Sequence, residues 1–197
     1  MSITINGNGT ISGISSGGLP AGSITSATLA DDAVTASKLG VKAFINVAYL
    51  VDEKGPTTNG GSISSGGHYE RDLNTVVFDS GMGITISSNV FTLPNAGTYI
   101  INWGCPNYRT DQSVSRLRQV TPTTNGLAEG RAGVANSDDG GDRTESIGWH
   151  RITTTGSSSY RLMNRVQTSR SNNGLGNSAN NNSDKSQYSW VVIYLEA

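Results

Sequence analysis

The sequence predicts an all-β protein: a jelly-roll sandwich over residues 41–197 that assembles with copies of itself, preceded by an extended arm over 1–40 with one short helix near 28–39. Three observations lead there. From Phe44 onward, runs rich in Val, Ile, Tyr, Phe and Thr alternate with clusters of Gly, Asn, Ser and Pro, the rhythm of short strands and turns. Residues 2–30 hold no charged side chain and the first aromatic is Phe44, so the arm has too little apolar area to offset its own ordering. The first and last strands are apolar on both faces, and such strands need cover on both.

Composition narrows the partners. Of 197 residues, 35% are hydrophobic and 15% charged, with Gly, Ser, Thr and Asn filling the gap and favouring turns over helices. Fourteen basic and 15 acidic residues leave a net charge of −1, which offers no field to nucleic acid or to an anionic membrane. Neither is expected as a partner. The single cysteine, Cys105, allows no intrachain disulfide, and its apolar strand suits a buried free thiol. Residues 1–8 lack the charge and apolar run of a secretion signal, and no stretch reaches the ~20 apolar residues of a membrane span. The expectation is a soluble protein made in a reducing cytosol.

Within the arm, Ile3-Thr4-Ile5, Ile11 and Ile14 read as short strand pieces that need a neighbour to close their edges. Ile24-Thr25-Ser26-Ala27-Thr28-Leu29 recurs ten residues later as Val34-Thr35-Ala36-Ser37-Lys38-Leu39. Between them Asp31 and Asp32 would open a short helix, with Lys38 and Gly40 closing it in keeping with the helix dipole. So short a helix needs packing, which copies burying Leu29, Val34 and Leu39 would supply. A stalk and a Thr/Ala-rich linker both fit.

Beyond the arm, strands are expected near 43–51, 73–79, 83–87, 89–93, 97–105, 108–120, 127–135, 144–153, 159–168 and 187–196. Turn signals separate them at Gly55-Pro56, Gly81, Pro94-Asn95, Pro106-Asn107, Asn125-Gly126, Gly140-Gly141 and Gly156-Ser157. Strand 159–168 is one-sided: Tyr160, Leu162 and Val166 face one way, Arg161, Arg165 and Gln167 the other, and Met163 breaks the alternation. The last strand sets Trp190, Val192 and Tyr194 against Val191, Ile193 and Leu195. The first sets Ile45, Val47, Tyr49 and Val51 against Phe44, Ala48 and Leu50. Another subunit is the simplest outer cover, the arm of the same chain the other one. The interface candidates are Phe44, Val47, Tyr49, Trp190, Val192 and Tyr194.

A jelly roll sets its first and last strands side by side and antiparallel, which brings the polar loops 52–68 and 169–186 together at one end. Long loops in compact domains are functional more often than not. Binding candidates there are Asn59, Arg170, Asn172, Asn173, Asn180 and Asn181, whose amides and guanidinium suit glycan hydroxyls. Tyr108 and Trp149 join them, because an exposed aromatic can stack on a sugar ring, with a place in the core or an interface as the other reading of each, and so does Arg109, whose other reading is a solvated charge.

Particular motifs resemble a known family. Arg71-Asp72-Leu73-Asn74-Thr75, Ser87 through Pro94, Ala96-Gly97-Thr98-Tyr99, Pro106-Asn107-Tyr108-Arg109 and Ser115-Arg116-Leu117-Arg118 resemble the C-terminal domains of bacteriophage fibre proteins, which are similar to the complement-C1q and tumour-necrosis-factor jelly roll. The arm resembles phage stalk sequence at Gly22 through Ala30 and Asp31 through Leu39. The resemblance spans 70–197 and 20–40; Cys105 departs from it, and the tip loops match nothing in it. It implies a homotrimer on a virion, an arm docked to other virion proteins, and a tip facing bacterial surface polysaccharide or an outer-membrane receptor. A head fibre or capsid decoration protein at three-fold positions is the structural alternative.

Catalytic signals are poor. The histidines, His68 and His150, have no metal-binding spacing, no phosphate loop is present, and a Cys105/His150 pair competes with a plain core cysteine. No catalysis and no cofactor are expected. Asp138, Asp139 and Asp142 could hold calcium, as some C1q-like trimers do, or form a solvated acidic turn.

Overall fold

The computed structural model describes residues 4–5, 11–12, 44–123, 127–135, 143–178 and 184–196, with backbone alone at Thr4, Ile5, Ile11, Ser12, Ile45, Val134 and Ala135. The chain divides into two units, Met1–Lys42 and Ala43–Ala197. In the first, β1 (Thr4–Ile5) and β2 (Ile11–Ser12) pair antiparallel. The helix expected near 28–39 lies outside the described residues, as do the turns at 125–126 and 140–141.

The second unit carries β3 (Phe44–Lys54), β4 (Tyr69–Glu70), β5 (Thr75–Asp79), β6 (Thr85–Ser87), β7 (Val90–Leu93), β8 (Gly97–Tyr108), β9 (Asp111–Thr121), β10 (Ala128–Glu129), β11 (Gly133–Ala135), β12 (Arg143–Thr154), β13 (Ser158–Val166) and β14 (Ser186–Glu196). One sheet runs β12-β8-β14-β3-β5. The other runs β10-β9-β13-β7-β6, with β11 also on β9 and β4 on β13. From β7 to β9, and again from β12 to β14, successive strands alternate between the sheets, and β3 and β14 lie antiparallel at the middle of one sheet. The domain is an all-β jelly roll. No helix occurs among the described residues.

Period-two alternation builds the core. Ala48 and Leu50 of β3, Tyr99, Ile101, Trp103 and Cys105 of β8, and Val191 and Ile193 of β14 face Phe91, Leu93, Leu117, Tyr160 and Leu162 of the second sheet, all but fully buried. Trp103 also pins the layers: its Nε1 donates to Ser115 Oγ at 2.9 Å, and that hydroxyl lies 2.8 Å from Ser146 Oγ. A side chain at Gly148 would collide with the Trp103 ring, so this glycine makes room for the indole.

Three expectations are corrected. Pro106-Asn107 is not a turn: β8 continues to Tyr108, and the turn follows at Arg109, whose φ is 51°. β14 pairs with β8 only as far as Gly104, so Pro106 lies where a missing N–H breaks no ladder bond on that side. The strand expected over 127–135 is broken into β10 and β11. Between them Gly130 N donates to Ser115 O and Arg131 N to Ile147 O, so this segment bridges the two sheets. Phe44, expected beside Ala48 and Leu50, is instead 55% exposed and packs against Tyr194, with ring centroids 4.9 Å apart. A register shift between Leu195 and Glu196 changes the phase of the strand there.

Candidate functional site

Residues directly paired across a ladder point to the same side, so the register spells out the outward face of the β12-β8-β14-β3-β5 sheet. One row reads Phe78, Tyr49, Val192, Asn102, Trp149. A second reads Val47, Tyr194, Ile100, Arg151, and a third Val51, Trp190, Gly104, Ile147. Val47, Tyr49, Trp190, Val192 and Tyr194 thus share one face, and Phe44 joins them beside Tyr194. Trp149 stands at 67% exposure and Phe78 at 53%. Trp190 is held in place: its Nε1 donates to Glu145 Oε1 at 2.6 Å, and a side chain on Gly104 would strike its indole. At the edge, Arg151 grips Glu196 with two bonds of 2.8 and 2.6 Å. The rigid, apolar centre and charged border are the makeup of a protein-contact face.

The loop tip is a built object. Loops 55–68 and 169–178 are zipped together by Gly60 N to Gly176 O at 2.9 Å, Gly61 N to Asn172 O at 3.1 Å, and reciprocal bonds between Ile63 and Arg170 of 2.9 and 2.8 Å. Ile63, Val166 and Leu175 form a small apolar core beneath them. Asn59 Oδ1 accepts from Ser178 N at 2.9 Å, so that group holds the loop. Tyr188, buried, donates its hydroxyl to Thr58 O at 2.6 Å. Tyr108 N donates to Gly174 O, and the Arg109 guanidinium sits 5.3 Å from the Tyr108 ring centroid. Asn172 is exposed at a φ of 67°, and Asn173 Nδ2 reaches Asn177 Oδ1 at 3.3 Å. The structure therefore gathers Asn59, Tyr108, Arg109, Arg170, Asn172 and Asn173 at one end, and puts Trp149 on the sheet face away from them. Asn180 and Asn181 lie outside the described residues.

Sequence reasoning missed Arg71 as a tip residue. It is 1% exposed, its Nε donates to Ser189 Oγ at 2.8 Å and its Nη2 to Leu175 O at 2.9 Å, tying the tip to β14. Burial pulls its pKa down. An Arg-Asp pair before a strand reads as surface, and nothing local marks it as interior.

The cysteine–histidine chemistry considered from the sequence is not assembled by the described residues. Burial pushes the Cys105 thiol up to about 11, which leaves it inert at neutral pH. Cys105 pairs with Ser146 on β12, whereas His150 pairs with Ile101, four residues further along, so the Cys105/His150 pair does not form. Among the described residues no three His, Cys, Asp or Glu side chains cluster as metal ligands. Asp138, Asp139 and Asp142 lie outside them.

No protein-family model matches the sequence, and no curated protein matches it. Among solved structures, the chain is similar to murine APRIL at pH 5.0, with 13% identity, TM-score 0.49, and coverage of 76% of this chain and 98% of that one. It is similar also to the Eiger TNF of S. frugiperda, at 9% identity, TM-score 0.48, and 79% and 94% coverage. The globular domain of zebrafish complement 1qA matches at 10% identity, TM-score 0.42, and 76% and 94% coverage. The jelly-roll class stands on the strand order.

Proposed function

We propose that this chain is a virion fibre protein of a bacteriophage, a homotrimeric adhesin that attaches to the bacterial surface. One observation carries the reading: the outward face of the β12-β8-β14-β3-β5 sheet presents rows of aromatic and aliphatic side chains, with Trp149, Phe44 and Phe78 more than half exposed. Covering such a face with a second copy removes hydrocarbon from water at about 25 cal/mol per Å². The number three follows from the resemblance of residues 70–197 to phage fibre domains, and the virion location from that of residues 20–40 to stalk units. Three copies set three tips side by side, and weak individual contacts to polysaccharide or an outer-membrane receptor then add up as avidity. The arm docks to other virion proteins.

The test is the mass of the full chain in solution together with its effect on adsorption. A trimer, converted to monomer by Val192→Asp with Tyr194→Asp, and competing with phage for cells only as the trimer, is the expected result. A stable wild-type monomer would sink the reading. Antibody against residues 44–197 decorating heads rather than tails would replace the adhesin with a capsid decoration protein.

A further inference from the structure

The second sheet turns a chemically opposite face outward. Its register sets Arg161 directly beside Arg118, and Arg165 beside Val114. The row between them holds Glu129, Arg116, Met163 and Glu70 in order across four strands. Four guanidiniums thus stand on adjacent strands β9 and β13, where neighbours on one face are roughly 5 to 7 Å apart. Arg116 pairs with Glu129 and Arg161 with Glu70. Among the described residues Arg118 and Arg165 have no ion pair, which leaves this face a surplus of two positive charges on a chain whose net charge is −1.

That arrangement is costly for the fold. Like charges directly opposite in a sheet repel, and Arg118 and Arg161 are so placed. Arg161 Nε is buried with no partner among the described residues, and so is Nε2 of His68, which feels the charges of Arg116 and Arg165. Burial first, and then the Arg116 charge, hold His68 below its ordinary pKa, so it adds no cation to the cluster at neutral pH. Met163, on the outward side yet 7% exposed, lies between Arg116 and Glu70 as an apolar floor. Next to Arg165 the face runs into an open groove of about 590 Å³, lined by Ser65, Gln112, Arg165 and Gln167 among others. Amides and hydroxyls beside a free guanidinium are what a sugar acid needs: hydrogen bonds for its ring hydroxyls and a charge-assisted partner for its carboxylate.

We propose that this basic face and its groove bind an acidic polysaccharide, with carboxylate groups on Arg118 and Arg165 and sugar hydroxyls on Gln112, Gln167 and Ser65. The inference rests on the adhesin reading and deepens it by naming the ligand class. It extends the contact from the tip loop at Ser65 along the flank of the sandwich, where assembly through the apolar sheet leaves the basic sheet free. Repeated acidic sugars would engage three flanks at once.

The full chain is titrated against polygalacturonate, neutral dextran and duplex DNA at low and at high salt. The expected result is binding to polygalacturonate alone, weakened by salt, and a loss of about tenfold or more in Arg118→Gln with Arg165→Gln. Equal affinity for dextran, or an unchanged affinity in the double variant, overturns the site. Equal affinity for DNA overturns the saccharide and leaves a general polyanion surface. Cell binding separates the two readings: a double variant that binds cells as the wild type does removes the flank as ligand site while the adhesin stands, and a wild-type trimer that binds no cells removes the adhesin itself.

Discussion

Asp79 closes the turn that carries the chain from β5 in one sheet to β6 in the other. Its Oδ1 accepts from Gly81 N at 3.0 Å and Met82 N at 2.7 Å, and its Oδ2 from Ile84 N at 2.8 Å, which seats Met82 and Ile84 in the core. Burial alone would raise its pKa, but these backbone donors outweigh burial and hold it below the ordinary aspartate value. A depressed folded pKa means stabilisation that is complete above the unfolded value, about 3.9, and lost as pH falls through the folded one. Asp79→Ala should therefore cost about 1–3 kcal/mol near neutral pH, with the gap to wild type closing on acidification below pH ~4. Thermal melts of both proteins across that range check it; a gap constant with pH refutes it. The turn itself was legible from Gly81, but not that the Asp79 carboxylate closes it. Arg71 was not legible, because its partners Ser189 and Leu175 lie more than a hundred residues away and a guanidinium at 1% exposure contradicts every local expectation for arginine.

At the scale of elements, sequence patterning served best where alternation is strict and worst where the chain changes sheet. β12 and β14 are read to within a residue at each end, because a one-residue slip would turn every core side chain into water, whereas β9 starts three residues later than expected because β8 runs on through Pro106 to Tyr108. The tip was legible only as two polar loops brought together; that they form a zipped layer over Ile63 and Leu175 depends on backbone bonds that no side-chain pattern announces. Gly60 shows how tight that layer is. A Cβ there would come within 2.6 Å of Leu175 O, while Gly60 N already donates to Gly176 O. Gly60→Ala should force the loops apart at a cost of about 1–3 kcal/mol. Amide exchange at Ile63, Arg170 and Leu175 should speed up by more than exchange in the core strands β8 and β13. Unchanged exchange at the tip would mean that the loops are not coupled.

For the whole molecule, the sandwich is two-faced: apolar and aromatic outward on one sheet, basic outward on the other. The apolar face was foreseen from the double-sided greasiness of the terminal strands, but its breadth was not, because Phe78, Ile147 and Trp149 enter it only through pairing register. The basic face was visible as arginines on outward positions; their mutual approach required knowing that β9 and β13 are neighbours. If the apolar face is the seat of self-association, folding and assembly are linked by mass action, and the melting temperature must rise with protein concentration. Val192→Asp with Tyr194→Asp places two carboxylates in adjacent rows of that face, where assembly would bury them unpaired. The variant should melt lower than wild type and at a temperature independent of concentration, because an aspartate turned to water costs the isolated sandwich little while it abolishes the contact between copies. Melts over a hundredfold range of concentration decide it: a wild-type midpoint that stays fixed would mean that the exposed rows are tolerated by a monomer, and the face would then have to serve a different partner.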